Sequence, residues 1–365
     1  MAQTQPTSAL LYVGTYSVRG SKGIYVFNFD LESGTVQLQQ TVENGKSPSF
    51  LAIHPSGRYL YAVNEEDELG EEQSGSVNAY AIDPESGQLT FLNQQLTHGQ
   101  APCHISIDRS GKLAFVSNYG SGSLTVLPVA DDGSLGEASQ KIQHTGRSVD
   151  EERQEGPHVH SAIVSADNQL LYVSDLGTDQ IYIYRIDTEG GQLTESTTTP
   201  TVRVSAGSGP RFTAVHPGDE RIYCIKEMSS TVAVLKRTPQ TDTVEIVQDD
   251  VSFLLETYSG ERSGADIHLD SKGQFLYVTN RGNNTLAVFS IADVGTLTHR
   301  ILHYTGGDEP RNFLVDEPSQ FVLVGHQETD NITLFKRDAS SGDLSATGDQ
   351  IEVPSPVCLL MVHRS

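Results

Sequence analysis

The sequence predicts an all-β fold: a seven-bladed β-propeller whose ring closes by pairing the N-terminal strands with the C-terminal strand. Three observations carry this reading. One unit recurs along the 365 residues: a proline-led apolar strand, a turn, a second apolar strand, then a third. Pro48, Pro102, Pro157, Pro210 and Pro310 open such units, Gly264 takes a proline's place in another, and Pro356 opens a last strand. The successive spacings are 54, 55, 53, 54, 46 and 46 residues, and repetition near 50 residues with several strands per repeat marks a propeller. The opening unit lacks a proline-led strand of its own, and Pro356–Val362 supplies one. Six complete units and one split unit give seven blades, and a closed array of this length reads as one domain, residues 1–365.

In chain order, Leu10–Tyr16 (LLYVGTY), Gly23–Asp30 (GIYVFNFD) and Thr35–Val42 read as strands, with Glu32-Ser33-Gly34 as a hairpin turn. PSFLAIHPSGRYLYAVNE follows with SVNAYAID and LTFLNQQLT, then PCHISIDRSGKLAFVSNY with SLTVLPV, then PHVHSAIVSADNQLLYVSDL with QIYIYRID. The stretch from Gly209 to Lys236, GPRFTAVHPGDERIYCIKEMSSTVAVLK, shows the plan most fully. ADIHLDSKGQFLYVTNR with TLAVFSI and PRNFLVDEPSQFVLVGHQ with ITLFKRD complete the series. Each turn carries Gly, Asp, Ser or Pro, as tight reversals require. Two inserts break the rhythm. Glu65–Gly75 reads as a solvated acidic loop, and Arg147–Gly156 stands where it can fold over a channel mouth.

Composition narrows the partners. Forty-seven acidic residues against 24 basic ones give a net charge of −23. That argues against nucleic acid and anionic membranes, which need basic patches. A small anionic substrate needs arginines gathered locally against that field. No apolar run is long enough to span a bilayer. The opening MAQTQPTSALLYVGTY has no Lys or Arg before Arg19 and does not read as a signal peptide. Cys103, Cys224 and Cys358 form no CxxC pair, and the first two read as buried free thiols. These features point to a reducing cytoplasm, and the expected assembly is a monomer or weak homo-oligomer.

Two columns emerge when the second strands are stacked. Tyr12, Tyr61, Phe115, Tyr172, Tyr223 and Tyr277, with Leu323, form an aromatic column suited to packing between sheets. Four positions on stand Tyr16, Glu65, Tyr119, Leu176, Glu227, Arg281 and Gln327, a column without fixed chemistry that suits a pocket. Residues just after the openings form a further ring: Ser49, Cys103, His158, Arg211, Ala265, Arg311 and Val357, with His104 and Asn312 one step on. First strands line a propeller's channel, so Arg211, Arg281 and Arg311 converge there. Either they bind an anion or they pair with Glu227 and Glu65. His158 and His160 alternate as strand residues do and are expected on one face, serving in proton transfer or hydrogen bonding. Glu227 is either a general base with a raised pKa or the partner of Arg211. No HExxH motif or cysteine cluster suggests a metal site, and no cofactor motif is present. Walker, GxGxxG and GxSxG signatures are absent, and the lack of Trp removes the WD signature of scaffold propellers.

At LLYVGTY, PSFLAIHPSGRYLYAVNE, APCHISIDRSGKLAFVSNYG, ERQEGPHVHS, GSGPRF, QFLYVTNRGNNTLAVFS and EPRNF the chain resembles the lactonase family of seven-bladed propellers. That family is typified by propeller-type 6-phosphogluconolactonase, with carboxy-cis,cis-muconate cyclase as a relative. ERQEGPHVHS followed by GPRF is the specific part. The resemblance implies hydrolysis of 6-phosphoglucono-δ-lactone, a step of the pentose phosphate route. It implies catalytic roles for His158 or His160, Arg211, Glu227 and Arg281. Substrate contacts are expected from Arg153, His104, Arg311, Asn312 and Gln327. A lactonase for another sugar acid, a muconate-type cycloisomerase and a non-catalytic binding propeller are the alternatives. Calcium-dependent lactonases have six blades, although Glu65, Asn118, Asp175 and Glu227 could imitate their ligands.

Overall fold

The computed structural model describes residues 7–43, 45–318 and 320–363, so MAQTQP, the first part of the opening stretch MAQTQPTSALLYVGTY, lies outside the described residues. Apolar β-formers between turn residues fold into seven antiparallel sheets. Blade 1 combines Pro356–His363 with Ser8–Thr15, Ile24–Asp30 and Val36–Val42, in that order from the centre outward. Leu10, Leu11, Tyr12 and Val13 pair with Val362, Met361, Leu360 and Leu359, so the chain ends close the ring as expected.

Blades 2 to 7 start at the centre with Leu51–Ile53, Pro102–Ile107, Val159–Val164, Pro210–Val215, Gly264–Leu269 and Pro310–Asp316. Three further strands follow outward in each, and blade 4 carries an additional short strand, Thr201–Arg203, beside its third. Each inner strand touches the inner strands of both neighbouring blades, which draws the sheets into a closed ring.

The core is divided in the same way. Seven apolar clusters lie between the blades, one at each interface. The second strands are buried on both faces, which is why they read as continuous apolar runs. The aromatic column is fully buried and does more than fill space. Tyr12, Tyr61, Tyr223 and Tyr277 each donate a hydroxyl hydrogen bond to a hairpin carbonyl of the next blade: Gly87, Gly133, Gly295 and Gly342, at 2.8–3.0 Å. Phenol burial without such a partner would cost free energy, so these bonds fix the blade spacing as well as satisfying the hydroxyl.

Candidate active site

Two rings of backbone positions build the site. The N–H groups of Tyr16, Glu65, Tyr119, Leu176, Glu227, Arg281 and Gln327 donate to the carbonyls of Ser355, Ser47, Ala101, His158, Gly209, Ser263 and Glu309, at 2.7–3.2 Å. The ends of all seven second strands are therefore equivalent, as their column in the sequence suggested. The second ring comes from the inner strands. Their register slips just after the start, skipping Cys103, His160, Arg211, Ala265 with Asp266, Arg311 and Val357. Such bulges re-aim a side chain and are common beside active sites.

This pairing corrects the expected ring at one place. The carbonyl of His158 fills the role that Gly209 and Ala101 fill in other blades, so Val159 stands where a proline stands and His160 takes the ring position. Pro157 lies two residues early because the preceding insert brings it. The two histidines separate accordingly. His158 precedes the strand, stacks on Tyr119 with ring centroids 4.5 Å apart, and lies 3.3 Å from Glu155. His160 is buried, meets the edge of Tyr119, and places Nε2 4.0 Å from Glu227 Oε2.

Glu227 is the centre of the charged cluster. Arg211 Nε donates to its Oε2 at 2.8 Å, Arg281 Nη2 lies 3.0 Å from the same oxygen, and Arg153 Nη2 donates to Oε1 at 2.6 Å. Burial alone would raise its pKa, but the guanidiniums of Arg281, Arg211 and Arg153 outweigh that and hold the carboxyl well below the usual range. The reading of Glu227 as a base with a raised pKa is therefore corrected: three guanidiniums keep it ionised. His160 is pushed well below its ordinary value by burial and by Arg211, against the pull of Glu227, and so is a neutral imidazole. Burial, with Arg311 and Arg281 nearby, brings Arg211 down to about 10, still a cation near neutrality.

Arg153 arrives on the insert Arg147–Gly156. Asp150 Oδ1 accepts the N–H groups of Glu152 and Arg153, and the buried Gln154 donates to the carbonyl of Leu176 at 2.8 Å. The loop is thus pinned to blade 4 with one arginine over the channel. Arg311 differs from the other three arginines. Its guanidinium sits 5.2 Å over the Tyr16 ring and forms no hydrogen bond and no ion pair within 4.0 Å among the described residues.

Ser49, Glu65, Cys103, Arg211, Arg311 and Asn312 enclose a space of about 10 Å³, room for about one water. The floor is an aromatic plug: Phe50, His104 and Phe212 lie with centroids 4.5–5.7 Å apart. His104 belongs to this plug and not to the arginine cluster, and burial brings it down to about 3. Asn312 touches the floor, but its amide is committed to Asp266 at 2.6 Å and to the Leu359 N–H at 2.7 Å. Gln327 sits at the rim, where its Nε2 donates to Glu328.

No three His, Cys, Asp or Glu side chains converge among the described residues. Of the residues that could imitate a calcium set, Asp175 Oδ2 is taken by His144 at 2.7 Å, and the Asn118 amide nitrogen donates to Ser123 and Thr125 while its Oδ1 is buried without a hydrogen-bond partner among the described residues. The stretch Glu65–Gly75 is largely exposed from Asp67 to Gln73, but Glu65 itself turns into the mouth, which corrects its placement in a solvated loop. With Tyr16 and Tyr119 it joins the site from the second-strand column, where the sequence offered it as an arginine partner or a calcium-ligand mimic.

Residues 10–361 match the family described as lactonase, 7-bladed beta-propeller. The chain is 35% identical to the 6-phosphogluconolactonase of Bacillus subtilis, covering 98% of this chain and 99% of that one. It is 33% identical to that of Formosa agariphila, covering 97% and 100%. Among solved structures, the periplasmic gluconolactonase of Pseudomonas aeruginosa superposes with a TM-score of 0.92 at 32% identity, covering 98% of this chain and all of that one. By the family match and by identity over its whole length to these relatives, the chain belongs to the seven-bladed β-propeller lactonase family.

Proposed function

We propose that this protein hydrolyses the lactone of an anionic sugar acid, with 6-phosphoglucono-δ-lactone as its substrate. One observation carries the reading: in a chain of net charge −23, four arginines meet at one channel mouth, and Arg311 has no carboxylate within 4.0 Å among the described residues. Structural ion pairing accounts for the three arginines on Glu227 but not for the fourth. The names borne by the relatives support the lactone as substrate class.

The chemistry follows from the geometry. Attack of water on the lactone carbonyl develops charge on its oxygen, and preorganised donors aimed there lower the barrier. Arg211 and Arg281 supply those donors, fixed by Glu227. Arg311 and Arg153 take the substrate's phosphate. His160, neutral and buried, accepts the water's proton, and Glu227 stabilises the imidazolium that forms. No metal enters this scheme.

The test is the loss of 6-phosphogluconolactone against unphosphorylated gluconolactone, with and without chelator, in wild type and Arg211→Ala. The phosphorylated lactone should be preferred, chelation should change nothing, and Arg211→Ala should cost on the order of 2–5 kcal/mol in kcat/KM. A wild type that hydrolyses neither lactone would overturn the reading.

The pentose phosphate step and a cytoplasmic site complete it. Buried, unpaired Cys103, Cys224 and Cys358 support a reducing compartment. Among the described residues no helix is long and apolar enough to cross a membrane. Cell fractionation distinguishes the cytoplasm from the periplasm named for the Pseudomonas aeruginosa relative. Residues 1–365 acting as one domain, in a monomer or weak homo-oligomer, is the assembly we propose, and light scattering checks it.

A further inference from the structure

We infer that Glu65 is the general acid that protonates the ring oxygen of the lactone as it leaves, an assignment that rests on the lactonase reading above. Glu65 ends the second strand of blade 2 at the position that Glu227 holds in blade 5. Its surroundings are of another kind. Ser49 Oγ donates to Oε2, and the Tyr16 hydroxyl lies 3.3 Å from Oε1. No Lys, Arg or His lies within 4.0 Å of its oxygens among the described residues, whereas Glu227 has three arginines and a histidine at that range.

Hydroxyls both donate and accept hydrogen bonds, while guanidinium only donates. Ser49 and Tyr16 therefore accommodate Glu65 with or without its proton. The donors on Glu227 demand an anion. Glu65 is the carboxyl of this mouth built to hold and release a proton, and it borders the same small space as Arg211 and Arg311.

The titratable groups facing it come from four other blades: Tyr16 from blade 1, Cys103 from blade 3, Arg211 from blade 5 and Arg311 from blade 7. Burial raises Glu65, and Arg311, Ser49, Tyr16 and Arg211 offset this only in part. The net direction keeps a proton on Glu65 where an exposed glutamate has lost it.

The step balances as follows. Water oxygen bonds to the carbonyl carbon and its proton passes to His160. The tetrahedral intermediate collapses, the bond from the carbonyl carbon to the ring oxygen breaks, and its electron pair goes to that oxygen. The ring oxygen takes the proton of Glu65 and becomes the hydroxyl of the open acid. Glu65 is left as a carboxylate and regains a proton from imidazolium through solvent.

The test is the pH dependence of kcat for wild type, Glu65→Gln and Ser49→Ala on 6-phosphogluconolactone, corrected for spontaneous hydrolysis. A group that must be protonated makes kcat fall as pH rises through its pKa. That limb should lie well below the value of about 10 held by Arg211. Glu65→Gln should lower kcat by roughly a hundredfold or more, leave KM within a few-fold, and abolish the limb. Ser49→Ala, folded and active, should move the limb to higher pH, because the hydroxyl it removes draws the Glu65 pKa down. An unchanged kcat in Glu65→Gln beside an inactive Arg211→Ala would overturn the role of Glu65 and leave the lactonase reading intact. An unmoved limb in Ser49→Ala would overturn it equally. A wild type inactive on every lactone would overturn both.

Discussion

Glu65 and Glu227 close the second strands of blades 2 and 5, and the backbone N–H of each donates to the carbonyl before its blade opening, at 3.0 and 2.7 Å. Backbone position is thus the same. The chemistry differs because other blades supply the neighbours. Glu227 receives Arg211 from its own blade, Arg281 from blade 6 and Arg153 from the insert before blade 4. Glu65 receives hydroxyls from Ser49 and from Tyr16 of blade 1, with Arg311 nearby but not paired. Burial acts on both carboxyls, and only at Glu227 do enough cations stand close to reverse its effect. A propeller can therefore repeat one frame and still divide labour within a ring.

The sharpest way to break this comparison is to neutralise each glutamate in turn. Glu227→Gln removes the anion that three guanidiniums need, and leaving a buried charge unpaired costs roughly 3–5 kcal/mol. Denaturant unfolding should show that loss, and turnover should fall more than binding. Acid sharpens the same point. The folded pKa of Glu227 is lowered, so its stabilisation is present above the ordinary glutamate value of about 4.3 and is lost as pH falls below that, toward the folded value. Unfolding free energies of wild type and Glu227→Gln should converge on acidification and separate above that value. Parallel curves would show that the carboxylate is not held by its cations.

Smaller effects follow outward from the cluster. Arg153 is nearly half exposed, so its bond to Glu227 is screened and contributes about 0–1 kcal/mol to stability. Arg153→Ala should leave thermal unfolding almost unchanged while raising KM several-fold. The smallest expected change is the stability of Glu65→Gln, within about 1 kcal/mol, because a neutral amide can pair with the same hydroxyls. A loss as large as that of Glu227→Gln would show that the two sites are alike after all.

Much of this frame was legible in the chain. Openings at Pro48, Pro102, Pro210 and Pro310 and the aromatic column gave the blade count, because central strands buried on both faces leave an unbroken apolar signature. The split blade was readable because the first unit lacked what Pro356–Val362 provides. The fourth strands were harder to read, since Gln140–Gln143 and Gln192–Glu195 are short and lie at the outer edge. The convergence of Arg211, Glu227 and Arg281 followed from equivalent positions. The histidine register did not, because Pro157 directly follows the insert, two residues ahead of the position at which a proline stands in other blades, and the bulge falls at His160. The facing of His104 was not legible because one step along a strand reverses the facing of a side chain, here into the plug. The character of Glu65 was hidden because Tyr16 and Arg311 reach it from blades 1 and 7.

The most direct test is a titration of the two carboxyl groups themselves. In protein carrying ¹³C at glutamate side-chain carboxyls, the signals that vanish in Glu65→Gln and Glu227→Gln identify each group. Glu227 should remain ionised to the lowest pH at which the fold persists, while Glu65 should titrate above the ordinary glutamate range. Two carboxyls titrating together near that ordinary range, or in the reverse order, would contradict the division of roles at the channel mouth.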